Sequence, residues 1–160
     1  DGEAVGEMSL QGSVRLNSWL DFQVTGTAVH TLERAYEDAE GNTYQGEVAW
    51  AGIGVRPFLS VTERLEIGVP LRFANGIVQF RYERPYREEL AWDEEIIDRE
   101  NVALYSIGLD AAVALGDRWS VTGEIGGRAA SPVRVVVPVD SGALNGLYGG
   151  LGASYRIGGK

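Results

Sequence analysis

Length, charge and the absence of cysteine restrict what this chain is. Its 160 residues are the size of one domain, and without cysteine it has no disulfide, thiolate metal site or thiol nucleophile. The formal net charge is −9, and segments 33–43 and 83–100 carry most of it, so we expect no nucleic-acid partner. The longest uncharged segment, 141–155, is glycine-rich and shorter than the roughly 18 apolar residues of a membrane-spanning helix.

The N-terminal region predicts two strands joined by a short turn. Apolar residues alternate over 8–16, and the same parity continues over 20–32. One uninterrupted strand across both segments would be about 80 Å long, more than twice the thickness of a bilayer's hydrocarbon core. We therefore predict a hairpin whose loop is Asn17-Ser18-Trp19.

Further strands follow, separated alternately by tight turns and long connections. Tight turns are predicted at 59–65 and 115–119, and long acidic loops at 33–43 and 83–100. Pro70 lacks the N–H group that a strand interior needs, so it marks a bulge or a local break. The strands are expected at residues 44–59, 64–73 with an extension to 82, 102–115, 119–130 and 145–157.

These segments make seven strands, whereas single-chain bacterial barrels have an even number, usually eight or more. The dipeptide Asn75-Gly76 is a hairpin signal that would divide 65–82 into two strands. Alternatively, Val133 to Val139 form a strand of their own after Pro132. Both alternatives remain open at this point.

Alternating side chains give the strands one apolar and one polar face. In 147–157 the odd positions are apolar or small, whereas the even positions carry glycine, hydroxyl groups and charge. The segments 105–115 and 119–129 repeat this pattern, with Asp110 and Glu124 on the polar face. A soluble barrel encloses apolar side chains, so the pattern favours lipid outside and polar groups inside.

The predicted fold is therefore all-β, with the whole chain, residues 1–160, as a single domain. It is an up-and-down antiparallel transmembrane β-barrel of eight strands, with a polar lumen and long acidic extracellular loops. Trp19 and Trp119 lie beside turns, where indole rings prefer the boundary between water and lipid. Trp50 is expected to point inward, because it shares its parity with Gly54 and Arg56.

The last strand and two turns carry a family resemblance. The segment 150–157 reads Gly-Leu-Gly-Ala-Ser-Tyr-Arg-Ile and resembles the closing strand of small outer-membrane barrels in the OmpA, OmpX and OmpW style, which typically ends in Tyr-Arg-Phe. The turns at 59–65 and 115–119 are similar to periplasmic turns of the same group. The resemblance implies a bacterial outer-membrane location, with membrane lipid and lipopolysaccharide as partners.

Charged residues on the predicted inner face are the first candidate site. Such ions have to be paired or hydrated, because an isolated buried charge costs several kcal/mol. The favoured interpretation is a salt-bridge network that fills the barrel, and the alternative is a narrow pore or proton path. The residues are Glu66, Arg72, Asp110, Glu124, Arg128 and Arg156, joined by Arg15 and Asp21 if the parity holds through the first hairpin.

The acidic loops are the second candidate site. Aromatic and aliphatic side chains interrupt their runs of charge, as in a loop that docks a protein partner. Carboxylate clusters such as 93–95 offer the oxygen ligands that calcium prefers, but solvated loops are the favoured interpretation, and we predict no metal site and no cofactor. The docking candidates are Tyr36, Tyr86, Trp92 and Ile96.

Catalytic residues are not recognisable in the sequence. The only histidine, His30, has no serine or second acid at a spacing that suggests a triad, so we predict no enzyme activity. The favoured function is an integral outer-membrane barrel with a structural, adhesion or partner-docking role. One alternative is a barrel that modifies or handles lipid through His30. The other is a soluble lipocalin-like binder of a small apolar ligand, which requires an enclosed core of Ile107, Leu109, Val121 and Ile125.

Overall fold

The computed structural model of the chain describes residues 6–30, 36–37, 41, 43–82, 96–132 and 144–157. All helical or strand structure within these ranges is β-strand, as the predicted all-β class requires. No helix in this part of the chain is long and apolar enough to cross a membrane. The strands are β1 (Gly6–Arg15), β2 (Leu20–His30), β3 (Tyr36–Glu37), β4 (Thr43–Ser60), β5 (Leu65–Gly68), β6 (Leu71–Tyr82), β7 (Ile96–Ala114), β8 (Trp119–Ala130) and β9 (Gly146–Tyr155).

Antiparallel pairing joins these strands into one sheet. Its order is β1-β2-β4-β5-β7-β8-β9, with β6 beside β4 and β7, and β3 beside the start of β4. β5 and β6 are two parts of one strand between β4 and β7, which gives eight antiparallel strands. The two-residue β3 lies beyond the end of β2 along β4, so seven strands stand side by side across the sheet.

The first hairpin forms where the sequence predicts it. Arg15 at the end of β1 pairs with Asp21 at the start of β2. The N–H groups of Leu16 and Asn17 both donate to the carbonyl oxygen of Leu20, at 2.9 and 3.3 Å. The turn is therefore closed by backbone hydrogen bonds, and the apolar parity continues through it.

Pro70 interrupts a strand, as predicted. β5 ends at Gly68 and β6 begins at Leu71, although both face the same neighbours, β4 and β7. Pro70 has no N–H group to donate, but its carbonyl oxygen accepts from the N–H of Gly108 at 3.0 Å. The local break therefore keeps β5 and β6 in line.

Asn75-Gly76 is not a turn, so the prediction that it divides a strand is wrong. It lies within β6, and Gly76 is paired with Trp50 of β4. A Cβ atom at Gly76 would lie 2.6 Å from the Cβ of Trp50. The glycine therefore admits an indole side chain on the neighbouring strand. The alternative strand at 133–139 lies outside the described residues.

β7 begins earlier than predicted, which moves one docking candidate out of its loop. The strand was expected from residue 102, but its pairing with β6 extends back to Ile96, opposite Arg81. The N-terminal part of β7 stays hydrogen-bonded to β6 although its sequence no longer alternates between apolar and polar residues. Alternation alone therefore placed the start of β7 too late. Ile96 is therefore a strand residue, and its assignment to the acidic loop is wrong.

The sheet is curved with its polar face inside. Side chains of β1 meet those of β5 and β6 on this face, although β2 and β4 lie between these strands in the sheet. Strands that are separated by two others in the sheet come into contact only when the sheet is strongly curved. We call the face that carries these contacts the concave face and the opposite one the convex face.

The end of the concave face nearest the long connections is closed by apolar packing. Its members are buried on β4, β6 and β7, and Val48, Ala130 and Leu144 pack against them. Trp50 belongs to this group, so its predicted inward direction is confirmed. We call it the upper cluster, and its residues are Trp50, Ala74, Val78, Phe80, Val102 and Leu104.

We expect Leu104→Ala to lower the free energy of unfolding by about 2–5 kcal/mol, because it leaves a cavity in the upper cluster. Leu109→Ala, on the opposite face of the same strand, removes an exposed side chain and is the matched control, with a smaller loss. Denaturant titration measures both losses. Equal losses would contradict the assignment of the two faces.

Candidate functional site

Arg56 is the centre of an ion-pair network on the concave face. Its Nε and Nη2 atoms donate to the two carboxylate oxygens of Asp110 at 2.6 and 2.5 Å. Its Nη1 atom donates to Asp21 at 3.2 Å. The side chains of Arg56 and Asp110 are only 7% and 2% exposed. One buried guanidinium thus connects β4 with β2 and β7.

Arg15 extends the network along the end of the sheet with the tight turns. Its Nη2 atom donates to both carboxylate oxygens of Glu66, at 2.9 and 3.0 Å, and its Nε donates to Asp21 at 3.2 Å. The guanidinium carbon also lies 4.2 Å from the ring centroid of Phe58, a cation–π distance. Phe58 is itself buried, so it forms an apolar floor under the charges.

Arg72 forms the next layer towards the upper cluster. It holds the carboxylate of Glu124 with two hydrogen bonds, at 2.5 and 2.8 Å, and its Nε donates to Gln23 at 3.2 Å. The Arg72 Nη2 atom also donates to Gln11 of β1 at 3.3 Å. Glu124 accepts a further hydrogen bond from the Tyr148 hydroxyl at 2.7 Å. This layer joins β1, β2, β6, β8 and β9.

Glycines let the charged side chains lie flat against the sheet. A Cβ atom at Gly68 would lie 2.5 Å from Nε of Arg56, and one at Gly126 would lie 2.6 Å from the Tyr148 hydroxyl. Any larger residue at these two positions would force the network side chains to move. The glycines on the polar face of the sequence pattern therefore make room for the network.

The described part of the concave face is balanced in charge, with buried apolar side chains on either side of the network. The four arginines in or next to the network face an equal number of carboxylates, and the upper cluster and Phe58 lie on its two sides. Each of these carboxylates contacts at least one guanidinium, so none is a ready base or nucleophile. The charged residues are Arg15, Arg56, Arg72 and Arg128 with Asp21, Glu66, Asp110 and Glu124.

Four of the six residues predicted for the lumen network lie in it, namely Glu66, Arg72, Asp110 and Glu124. Arg128 lies next to it, with its guanidinium carbon 4.8 Å from the Trp50 ring and its Nε donating to the carbonyl oxygen of Leu144. Arg156 lies beyond the end of β9 and is exposed. Its backbone N–H donates to the carbonyl oxygen of Arg118 at 2.8 Å, one residue past the last paired residue of β9, Tyr155.

Sequence reasoning missed the central residue, Arg56, as a network member. Its parity with Gly54 placed it on the inner face. Parity alone does not reveal that its guanidinium pairs with two aspartates from other strands. Arg15 and Asp21 were predicted as members if the parity held through the first hairpin. The hairpin is present, and the two residues form an ion pair. Tyr148 alternates with glycines in β9, which was the available signal for it.

The loop candidates are mostly outside the described residues. Tyr86 and Trp92 lie there entirely, and Tyr36 is described only as a backbone residue of β3, paired with Tyr44. His30 ends β2, with its backbone opposite Glu47, and its side chain is not described. Within the described residues, no group of three or more histidine, aspartate or glutamate side chains could hold a metal ion.

The lipocalin-like alternative does not fit the placement of its core residues. It requires Ile107, Leu109, Val121 and Ile125 to be enclosed, but all four are exposed on the convex face. No protein-family model, curated protein or solved structure matches this chain. Its own residues therefore have to support any function assigned to it.

We expect Asp110→Asn to lower the free energy of unfolding by about 3–5 kcal/mol, because it leaves the buried Arg56 guanidinium without its main partner. The double variant Arg56→Met, Asp110→Asn should lose less than the sum of the single losses, with a coupling of about 0.5–3 kcal/mol.

Denaturant titration of the four members of this cycle measures the coupling. Asp117→Asn, in an exposed turn, is the matched control and should change stability by less than about 0.5 kcal/mol. Strict additivity of the two single losses would contradict the assigned pair.

Proposed function

We propose that this chain is a bacterial outer-membrane β-barrel protein whose closed, charge-paired interior makes it a scaffold for its outer loops rather than a channel or an enzyme. The observation that carries the proposal is the inverted polarity of the sheet. Ion pairs such as Arg56–Asp110 are buried on the concave face, whereas large apolar side chains are exposed on the convex face. Water favours the opposite arrangement, and lipid favours this one.

The convex face supports lipid contact by its extent. Exposed apolar side chains occur on every long strand, whereas monomeric soluble proteins rarely expose contiguous apolar patches of more than about 300–600 Å². On β7 the outward residues run without a charge from Ala103 to Val113. That span is about 33 Å along the strand, or about 25 Å high at a tilt of about 40°, the height of the apolar band on outer-membrane barrels.

Aromatic side chains lie at one end of the apolar band of the convex face, and polar side chains lie at the other. Trp19 and Trp119 lie at the end with the tight turns, and Trp119 packs edge-on against Tyr155 with ring centroids 5.0 Å apart. At the other end the outward side chains become polar, and Gln79 donates to Glu47 at 2.7 Å. An aromatic girdle and a polar rim are expected where a barrel leaves the hydrocarbon region.

The strand register supports closure of the sheet into a tilted barrel. One continuous line of paired residues crosses all seven side-by-side strands, and it starts near the C-terminal end of β1 but finishes at the first residue of β9. This stagger is the shear that tilted barrel strands need. The line runs through Ser13, Gln23, Gly54, Arg72, Ser106, Arg128 and Gly146.

The interior supports a scaffold role. Network side chains fill the concave face, its charges are paired, and the upper cluster covers the end near the long connections. Solutes would have to break buried ion pairs to pass, so the interior offers no open path. A binding function would therefore be located at the ends of the barrel, where the strands adjoin the acidic segments, and not in its interior.

The connections support an outer-membrane orientation. Short links at 16–19, 61–64 and 115–118 lie at one end of the sheet, and the strand ends next to the longer segments 31–42 and 83–95 lie at the other. In outer-membrane barrels the short turns are periplasmic and the long loops extracellular. The acidic segments would then face the medium, where a protein partner or the lipopolysaccharide surface is within reach.

We expect the protein to need detergent for extraction and to change its gel mobility on boiling, because a closed barrel resists unfolding until it is heated. Electrophoresis of unboiled and boiled samples measures this. A monodisperse protein in plain buffer, with the same mobility before and after boiling, would contradict the membrane assignment.

Arginine at two depths of the convex face gives a second test. We expect Leu109→Arg, near the middle of the apolar band, to cost about 2–4 kcal/mol in lipid vesicles, and Leu115→Arg, beside a turn, to cost about 0–1 kcal/mol. Both leucines are exposed, so a soluble protein would tolerate both changes alike. Unfolding titrations in vesicles measure the difference, and equal costs would contradict a lipid-facing band.

A further inference from the structure

We propose that Arg118 and Arg156, at the end of the sheet with the tight turns, bind the phosphate of an anionic phospholipid. The inference rests on the proposed membrane barrel and identifies one lipid headgroup and the side chains that hold it. Trp119 and Tyr155 complete the site on the convex face. We call these four residues the headgroup site, and all four lie within the described residues.

Backbone pairing brings the two arginines onto neighbouring strand ends. Trp119, the first residue of β8, is paired with Tyr155, the last residue of β9. One residue beyond this pair, the N–H group of Arg156 donates to the carbonyl oxygen of Arg118 at 2.8 Å. Residues that face each other across antiparallel strands have Cα atoms about 4.5–5.5 Å apart, so one phosphate lies within reach of both guanidinium groups.

Arg118 extends to the convex side of the wall. Its Nη1 atom donates to the Tyr155 hydroxyl at 2.8 Å. The rings of Trp119 and Tyr155 are 55% and 45% exposed on the convex face, so this hydrogen bond holds the guanidinium beside the aromatic girdle. A guanidinium has five N–H groups, and Tyr155 is the only side-chain acceptor for those of Arg118 among the described residues. The remaining N–H groups are available to an anion.

The arginines of the headgroup site differ from those of the concave face. Arg15, Arg56 and Arg72 each hold a carboxylate. Neither Arg118 nor Arg156 forms an ion pair with any residue that the structure describes, and both are exposed. A buried charge needs a partner within the protein, whereas a charge at the level of the headgroups can pair with the lipid.

Charge at this end of the sheet is opposite in sign to the charge of the whole chain. The tight turns and the residue that follows β9 carry more arginines than carboxylates, whereas the strands at the other end adjoin the acidic segments 31–42 and 83–95. Coulomb attraction therefore directs an anionic headgroup to the end with the tight turns. The charged residues there, outside the concave network, are Arg64, Arg118 and Arg156 with Glu63 and Asp117.

An apolar surface for the acyl chains begins next to the arginines. The outward residues that follow the aromatic pair are Val121, paired with Ala153, and Gly123, paired with Leu151. None of these side chains is polar, as the attachment of a bound phosphate to hydrocarbon chains requires. Tryptophan and tyrosine prefer the boundary where the headgroups meet the hydrocarbon, so the phosphate and the arginines would lie at the same depth. In the proposed orientation this depth belongs to the periplasmic leaflet.

Native mass spectrometry of the protein in detergent, with added phosphatidylglycerol, tests the site. We expect Arg118→Gln combined with Arg156→Gln to weaken binding of the first lipid by about tenfold or more, because each arginine at an anionic lipid surface contributes about a factor of five. Phosphatidylcholine, whose headgroup has no net charge, should bind the unchanged protein about tenfold more weakly than phosphatidylglycerol. Equal affinity of the double variant and the unchanged protein for phosphatidylglycerol would overturn the proposal.

Arg99→Gln is the matched control, because Arg99 is exposed near the start of β7, at the other end of the sheet. It should leave the affinity for phosphatidylglycerol unchanged. An equal loss in this variant would mean that the lipid responds to overall charge and would overturn the assigned site. Inorganic phosphate in excess should not displace the lipid, and displacement would mean that a free phosphate ion is the occupant and would also overturn the proposal.

Tyr155 is a positioning residue in this site, because its hydroxyl contacts Arg118 and not the lipid. Tyr155→Phe keeps the ring beside Trp119, so the heat-dependent gel mobility should not change. Loss of the hydroxyl should weaken phosphatidylglycerol binding by about fivefold. Tyr105→Phe, at an exposed tyrosine of the same face, should leave the affinity as it is. The same affinity in both variants would overturn the assigned position of Arg118.

The two proposals fail in different ways. A protein that needs no detergent would overturn the membrane assignment, and the headgroup site with it. A heat-sensitive, detergent-dependent protein that binds phosphatidylglycerol and phosphatidylcholine equally would keep the membrane assignment and overturn the headgroup site.

Discussion

The ion pair between Arg56 and Asp110 is the interaction on which the rest of the structure depends. It is buried, doubly hydrogen-bonded and supported by Asp21, so three strands that are separate in sequence are held to one point. Taking such charges out of water is costly unless each is paired. Once the charges are paired inside, the alternation of side chains places the apolar set outside, on the convex face.

The interior is built in layers that serve different purposes. Phe58 and the arginines around it close one end, Arg72 and Glu124 link the flanks, and the upper cluster closes the other end. Positions such as Gly68 stay bare because a neighbouring guanidinium occupies the space of a side chain. Paired charges and packed side chains inside the sheet give rigidity to a wall of few strands.

Among the described residues, β1 and β9 are the outermost strands of the sheet, and each is paired with one neighbour. The outward leucines of these strands, Leu10, Leu147 and Leu151, are 83%, 94% and 89% exposed, and Gly150 and Gly152 lie on the concave side of β9. An edge of this kind attracts further strands, as sheet edges generally do.

The sequence by itself determined the strands, their two faces and the first hairpin, because these depend on local alternation and on the limited length of a strand. The bounds of β8 follow directly from the pattern at 119–130, and the break at Pro70 from a missing N–H group. Only the tertiary structure decided that Asn75-Gly76 continues a strand, since Trp50 needs the space above that glycine. It also decided that Arg56 is the centre of the network and that Arg156 lies outside it, because partners brought together by curvature are distant in sequence.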